Sequence, residues 1–170
     1  ANYDAVLAAV AAARDHVHVE YYIYEADTVG VALRDALVAA CARGVEVRVL
    51  LDHVASIRSV GHRKTARRLT KMGAQWHYML PVRPLRGQWQ RPDLRNHRKL
   101  LVVDGRVGFT GSLNLTEPGY NKPKNHKAGR QWVELMVRVQ GPIVTALDAV
   151  FAQDWFAETE EGLDVELGPP

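Results

Sequence analysis

The chain has 170 residues, of which 47% are hydrophobic and 24% are charged, and its formal net charge is +3. This composition is that of an ordinary globular domain large enough to bury a full core, and it argues against a disordered or fibrous chain. No apolar run approaches the length of a membrane-spanning helix. The single cysteine, Cys41, excludes an internal disulfide. Because it lies on the apolar face of a predicted helix, we expect it to pack in the core rather than act as a reactive thiol.

The predicted elements alternate between helices and strands. In chain order, the helices are expected at 3–14, from Asp27 or Thr28 to Arg43, at 63–71 and from Gly141-Pro142 onward. The strands are expected at 18–24, 45–51, 75–79, in a hairpin around Asp104-Gly105 and at 131–139. Residues 80–96 and 116–129 are expected to be irregular. The alternation predicts an α/β fold, a layered α-β-α domain with a central mixed β-sheet over residues 1–158, followed by a tail or linker at 159–170.

The charges are unevenly distributed along the chain. Between Arg58 and Lys99 there are twelve Lys or Arg residues and one acid, Asp93, whereas residues 154–166 hold six acids and no base. A basic middle favours a polyanionic partner, either a nucleic acid or an anionic membrane surface. The alternative is a solvated face without a partner.

Residues 95–115, RNHRKLLVVDGRVGFTGSLNL, contain the most informative pattern of the chain. His97, Lys99 and Asp104 form an H-x-K-x4-D motif, and Gly111-Ser112-x-Asn114 follows it. A histidine and a lysine two residues apart on a strand point to the same face. Imidazole is a nucleophile and ammonium is a counter-charge for phosphate oxygens. The pattern therefore predicts the cleavage or exchange of phosphodiesters.

The turn between the two motifs predicts how they meet. Asp104-Gly105 is typical of a two-residue hairpin turn, in which Val103 would pair with Arg106. Continuing this pairing places Lys99 opposite Thr110 and His97 opposite Ser112. We therefore expect both motifs at one end of the hairpin, where Ser112, Asn114 and backbone N–H groups hold one phosphate. Asp104 would lie at the other end, about 20 Å from His97, in a structural or Lys-supporting role.

The extended motif resembles the phospholipase D superfamily and, within it, the bacterial cardiolipin synthase family. The segments EYYIYEAD, ARGVEVRVLLD, LRNHRKLLVVDG, TGSLNL, RQWVELMVRVQGP and FAQDW are similar to that family's first catalytic half in order and spacing. The resemblance covers residues 17–156. It implies a phosphatidyltransferase that joins two phosphatidylglycerol molecules into cardiolipin and releases glycerol.

The resemblance also implies a role for each site residue. His97 would be the nucleophile that forms a phosphohistidine, and Lys99 and Asn114 would bind the phosphate with Ser112 alongside. Glu134 matches the carboxylate that orients the imidazole, although many relatives have Asp there; a solvated strand residue is the alternative. No cofactor is expected. No metal is expected either, because we find no clustered His, Cys and carboxylate ligands with zinc-like spacing.

Two departures from the family pattern suggest a fragment. The family takes a second histidine from a second motif copy to protonate the departing alkoxide, but one copy is present here. His62 begins a similar pattern, yet Leu69 stands where the aspartate should be. Family members also carry membrane-spanning segments that this chain lacks. We therefore expect the first catalytic half of a longer enzyme of the cell membrane, facing the cytoplasm and inactive in isolation.

The resemblance implies several partners, and the residues leave two further functions open. The expected partners are anionic phospholipid (phosphatidylglycerol), a membrane surface, and a second HKD half or a homodimer mate; nucleic acid is not expected. The alternatives are a homodimeric single-motif phosphodiesterase or nuclease and a non-catalytic module that binds anionic lipid or nucleic acid.

The candidates for the lipid headgroup layer are Trp76, Tyr78, Met79, Leu80 and Trp89, interleaved with Arg83, Arg86, Arg91 and Arg95. Burial of Trp76 and Tyr78 in the sheet is the alternative.

Overall fold

A computed structural model describes residues 2–88, 91, 93–119 and 122–165. The strands are β1 (His16–Tyr21), β2 (Glu46–Asp52), β3 (Gln75–Met79), β4 (Lys99–Val103), β5 (Val107–Gly111) and β6 (Met136–Gln140). The α-helices are α1 (Asn2–Ala12), α2 (Thr28–Ala42), α3 (His53–Arg58), α4 (His62–Lys71), α5 (Pro123–Lys127) and α6 (Ile143–Thr159), and a 3-10 turn spans Pro84–Arg86.

The strands form one six-stranded sheet in the order β3-β2-β1-β4-β5-β6. β1, β2 and β3 are parallel, whereas β4, β5 and β6 each run antiparallel to their neighbours. The last residue of β1, Tyr21, therefore pairs with the first of β4, Lys99, and the last of β5, Gly111, pairs with the first of β6, Met136. We call this end of the sheet the motif end, because the H-x-K and G-S-x-N sequences both lie there.

The core is divided between the two faces of the sheet. On one face, α1, α2 and α4 pack against alternate residues of the central strands in a cluster that includes Val10, Leu37, Leu69, Val19 and Leu101. On the other face, α6 packs Phe151 and Trp155 against Leu50, Leu100 and Val102. Cys41 is half-buried against the first cluster, as expected. These three layers confirm the predicted α/β fold with a central mixed sheet.

The predicted register of the hairpin is wrong by one residue. Asp104 and Gly105 do occupy the turn with positive φ, and the Arg106 N–H donates to the Val103 carbonyl at 3.0 Å. The ladder, however, resumes one residue later, with Val103 opposite Val107 and Leu100 opposite Thr110. The hydrophobic pattern explains the shift, because the predicted register would place the charged Arg106 opposite the buried Val103. The extra residue keeps Val107 on the buried face.

Two short helices and the length of β6 also differ from the prediction. α3 begins directly after β2, because the Asp52 carboxylate accepts the Ala55 N–H at 2.8 Å and caps the helix. α5 lies within the predicted loop, with Pro123 in its first turn. β6 is shorter than the predicted strand, since Trp132 donates its N–H to Pro118, outside the sheet.

The predicted tail begins in contact with the domain. The Trp155 indole donates to the Glu161 carboxylate at 3.0 Å, and Leu163 packs against the α6 cluster. Residues 166–170 of this tail lie outside the described residues. Among the helices in the described part of the chain, none combines the length and apolar character that crossing a bilayer requires.

Candidate active site

His97 lies at the motif end, just before β4, and its ring is exposed. It stacks on the ring of Tyr22, the residue after β1, with ring centroids 3.9 Å apart and planes 20° from parallel. The Lys99 ammonium lies 5.5 Å from the centroid of the same Tyr22 ring. The ring of Tyr22 therefore joins the predicted nucleophile to the predicted phosphate-binding cation.

The G-S sequence fixes the approach of β6 to this end. The Ser112 N–H donates to the Leu135 carbonyl at 2.9 Å, and the Leu135 N–H donates to the Ser112 hydroxyl at 3.0 Å. Gly111 has φ 152°, and a Cβ there would lie 2.1 Å from the Leu135 carbonyl oxygen. A glycine is thus required for the close approach, which brings Glu134, the residue before Leu135, to the motif end.

Asn114 ties the second motif to the end of β1. Its side-chain oxygen accepts the Ile23 N–H at 3.2 Å, and its main-chain carbonyl accepts the Tyr3 hydroxyl at 2.7 Å. Asn114 is buried. Because Ile23 follows Tyr22 directly, these bonds hold Asn114 beside the segment on which His97 stacks.

Electrostatics link Glu134 to Lys99. Burial lowers the pKa of the Lys99 ammonium, while the charge of the Glu134 carboxylate raises it. The Glu134 carboxylate, which lies just before β6, therefore interacts electrostatically with the Lys99 ammonium. The structure brings His97, Lys99, Ser112, Asn114 and Glu134 to one end of the molecule.

Asp104, in contrast, lies in the hairpin turn at the opposite end of β4. Its carboxylate accepts the N–H groups of Arg14, Asp15 and His16 at 3.0, 2.8 and 3.0 Å. Its own N–H donates to the His16 carbonyl at 3.0 Å. Asp104 thus binds the connection between α1 and β1, which is a structural arrangement.

The segment before His97 is anchored by buried polar contacts. The Arg95 guanidinium lies 2.6 Å from the Asp52 carboxylate, and both side chains are buried. The Asn96 amide donates to Glu20 at 2.8 Å and to Asp154 at 3.0 Å. Burial, and then the charge of Asp154, raise the pKa of Glu20 to about 8. These contacts fix the position of the chain from which His97 projects.

A cavity of about 630 Å³ opens beside His97, between residues 93–98 and α6. Its lining combines apolar side chains with charged ones, among them Leu80, Leu94, Arg98, Asp154 and Glu158. A cavity of this size and mixed lining suits a small polar molecule or headgroup. His97 lines this cavity, whereas Lys99, Ser112 and Asn114 are not among its lining residues.

The predicted headgroup layer is only partly available on the surface. Met79 is buried, and Arg95 is engaged with Asp52, so neither can face a membrane. Trp76 and Tyr78 are half-buried, with the Trp76 indole donating to Thr70 at 2.9 Å and the Tyr78 hydroxyl 2.6 Å from the His62 ring nitrogen. Trp89 lies outside the described residues.

Two features of the site escaped the sequence-based prediction. Tyr22 and Glu20 both lie in the strand predicted at 18–24, for which the sequence indicated no functional role, and Asp154 is 134 residues away from Glu20. The EYY sequence could have identified Tyr22, because an aromatic residue at the end of the central strand is well placed to contact a ligand-binding edge. No pattern in the local sequence indicates that Glu20 and Asp154 lie close together.

The chain is similar to known proteins over most of its length. Residues 6–155 match the family described as "Cardiolipin synthase, PLD-like domain". The chain is 35% identical over 159 residues to cardiolipin synthase A of Proteus mirabilis (strain HI4320), and 34% identical over 167 residues to that of Pectobacterium carotovorum subsp. carotovorum (strain PC1). The alignments cover 93% and 98% of this chain but 31% and 33% of the relatives. The chain thus spans about a third of their length.

Solved structures share the fold. A phospholipase D family member, Nuc from Salmonella typhimurium, superposes with a TM-score of 0.65 at 21% identity, over 91% of this chain and 87% of that one. NucT from Helicobacter pylori superposes with a TM-score of 0.64 at 13% identity, over 94% and 89% of the two chains. At these identities the likeness concerns the arrangement of the sheet and helices.

Proposed function

The chain belongs to the phospholipase D-like domain family of cardiolipin synthases, and from this premise we propose that it is one catalytic half of a membrane-associated phosphatidyltransferase that faces the cytoplasm. The enzyme would join two phosphatidylglycerol molecules into cardiolipin and release glycerol. The observation that carries the proposal is the convergence of His97, Lys99, Ser112 and Asn114 at the motif end, within a family match over residues 6–155.

In the first step, a ring nitrogen of His97 attacks the phosphorus of one phosphatidylglycerol. The N–P bond forms as the bond from phosphorus to the glycerol oxygen breaks, and that oxygen takes a proton from a general acid. Lys99 would offset the charge that develops on the phosphate oxygens, with Ser112 and Asn114 beside it. Glu134 would hold the His97 ring in one tautomer and orientation.

In the second step, the free hydroxyl of another phosphatidylglycerol attacks the phosphohistidine. The N–P bond breaks, cardiolipin leaves, and the hydroxyl proton passes to the group that acted as the acid in the first step. Because the chain carries one H-x-K-x4-D motif, we assign this acid and base to a second motif-bearing unit, a second half of the same protein or a homodimer mate.

The surface beside the site supports a covering unit. Trp132, Val133 and Leu135, which we call the apolar rim, flank Glu134 and are 59%, 100% and 67% exposed. Contiguous apolar side chains at a polar site are typical of a surface that another protein unit covers. A second half seated on the rim would close the site and exclude water from the phosphohistidine.

The test uses the full-length protein and vesicles that contain phosphatidylglycerol. We expect cardiolipin and glycerol as products, and a phosphatidyl adduct on His97 detected by mass spectrometry after rapid quenching. His97→Asn should abolish product and adduct, whereas His77→Asn, an exposed histidine on β3, should retain both. Product formation by the His97→Asn variant would refute the proposal. Lipid binding without turnover in the parent protein would favour a binding module.

A homodimeric phosphodiesterase is the second candidate, favoured by the single motif and the exposed rim. Two-fold symmetry would place two copies of His97 across one phosphate. Phosphodiester hydrolysis by the 170-residue chain alone, lost when Leu135→Lys prevents its dimerisation, would favour this candidate. An inactive monomer that gains activity only with a second half would favour the transferase.

A further inference from the structure

A second cluster of chemically active side chains lies away from the motif end, where β1 begins. His16 and His18 alternate along β1 and therefore face the same side of the sheet, toward α6. There the His18 Nδ1 lies 2.6 Å from one oxygen of the Asp148 carboxylate, and the His16 Nε2 lies 3.4 Å from the other. His16 is half-buried, whereas His18 and Asp148 are 5% and 4% exposed.

The donor set is that of a transition-metal site. One ligand atom from each residue falls within 4.8 Å of the other two, and two imidazoles with one carboxylate suit zinc. A tetrahedral zinc shell has ligand atoms about 3.4 Å apart, so the widest pair must approach by about 1.4 Å. The shell would take its fourth ligand, such as a water molecule, at the position that the three protein groups leave.

The polar atoms of the cluster are incompletely satisfied by the protein. Among the described residues, the buried Nε2 atom of His18 makes no hydrogen bond, and that of His16 has the Asp148 carboxylate at a long 3.4 Å. The His18 ring is fixed by stacking on Phe151, with centroids 4.4 Å apart and planes 8° from parallel. A buried, immobilised imidazole beside a carboxylate is pre-organised for a ligand rather than for solvent.

Although spacing along the sequence led us to expect no metal, the fold brings His16, His18 and Asp148 together, and we propose that they form a zinc-binding site that joins β1 to α6. The site lies toward the opposite end of β1 from Tyr21, the partner of Lys99, with His18 about 10 Å and His16 about 17 Å away at the usual rise of a strand. It is therefore structural, and the proposal is independent of the transferase function. The ion would replace the proton between His18 and Asp148 and cross-link two layers of the fold.

Charges around the cluster favour a cation. The negative charges of the Asp104 and Asp15 carboxylates stabilise positive charge at His16. The positive charge of the Arg48 guanidinium opposes positive charge at His18. This guanidinium lies 2.6 Å from the Glu46 carboxylate and 3.7 Å from the Glu161 carboxylate. Its repulsion toward a metal is reduced by these acids.

The test titrates the chelator-treated 170-residue chain with Zn²⁺ in a calorimeter and follows thermal unfolding. We expect binding of one ion per chain and a higher melting temperature in Zn²⁺. Co²⁺ should give visible ligand-field absorption characteristic of four-coordinate nitrogen and oxygen ligation. Asp148→Asn and His16→Asn should each weaken Zn²⁺ binding at least ten-fold, whereas the control His126→Asn, an exposed histidine on α5, should not.

Circular dichroism distinguishes lost binding from lost folding. His16→Asn is the milder variant, because His16 is the least buried of the three residues, and it should fold as the parent does. The proposal is overturned if the parent chain binds no Zn²⁺, or if His16→Asn and Asp148→Asn bind it as tightly as the parent and His126→Asn do.

Discussion

Among single residues, Tyr22 has the most direct influence on the proposed nucleophile. Its ring contacts both the His97 ring and the Lys99 ammonium. An exposed imidazole rotates readily about its side-chain torsions, and a stacked ring restricts this rotation. Tyr22 would therefore reduce the entropy that His97 loses when it aligns with phosphorus.

We expect Tyr22→Leu to lower the turnover of the full-length protein about ten-fold, because a small misalignment of reacting groups has large effects on rate. Tyr22→Phe keeps the stacking ring and should retain most of the activity. A readout independent of turnover is the NMR shift of the His97 ring protons, which the Tyr22 ring current displaces. Equal activity and equal shifts in the Leu and Phe variants would contradict this role.

The site residues divide into those that the sequence predicts and those that depend on tertiary contacts. His97, Lys99, Ser112 and Asn114 were predicted to lie together because one hairpin carries both motifs, whereas Glu134 was implied by the family resemblance alone. The contact of His97 with Tyr22 depends on how β1 and β4 pack, and spacing within one motif carries no information about it. The same holds for Asp148, which approaches His18 from a helix 130 residues away.

Among the elements, α4 accounts for much of the basic middle of the chain. Its inner face carries Thr65 and Leu69, which are buried. Its positive residues, Arg63, Lys64, Arg67, Arg68 and Lys71, are all exposed. A helix with one buried stripe and a cationic outer face can lie against an anionic membrane surface, where each charge contributes about 1 kcal/mol.

We expect the triple variant Lys64→Gln, Arg67→Gln, Lys71→Gln to bind phosphatidylglycerol-containing vesicles at least ten-fold more weakly in a sedimentation assay at physiological salt. The control removes three exposed charges that lie beside the β4–β5 hairpin, with Arg14→Gln, Arg106→Gln and Arg138→Gln. Vesicles of neutral phosphatidylcholine should show no difference. An equal loss in both triple variants would mean that net charge, rather than the α4 face, determines binding.

The elements were predicted where hydrophobic periodicity is strong. β3 has the predicted limits, and α2 and α4 agree within about a residue. The hairpin register was predicted wrongly because a turn signal alone does not fix how many residues separate the paired strands. The register is set by the buried Phe109 and the partly buried Val107, which both pack against the core. α5 was missed because a five-residue helix with no buried side chain has no periodic pattern to detect.

For the whole molecule, the interface between the sheet and α6 includes a carboxyl pair beside its apolar core. Glu20 of β1 is fully buried and faces Asp154 of α6, with the Asn96 amide donating to both. Burial raises the pKa of Glu20 from its ordinary value of 4.5 to about 8, and the charge of Asp154 contributes. At neutral pH the protonated Glu20 can donate a hydrogen bond to Asp154 across the interface between the layers.

This pair should make folding stability fall as the pH rises. Between pH 4.5 and about 8, Glu20 is ionised in the unfolded chain and protonated in the folded one, so the folded state binds one more proton. Its stabilisation is fully present below pH 4.5. The free energy of unfolding should then decrease by about 1.4 kcal/mol per pH unit across this interval.

We expect Glu20→Gln, which stays neutral, to remove this slope, so that the stability of the parent falls relative to the variant between pH 5 and pH 8. Urea unfolding at several pH values, followed by circular dichroism, measures the difference and cancels the contributions of other groups. Glu160→Gln, an exposed residue after α6, is the control and should run parallel to the parent. If Glu20→Gln also runs parallel, Glu20 is ionised in the folded protein, and the layers are joined without a shared proton.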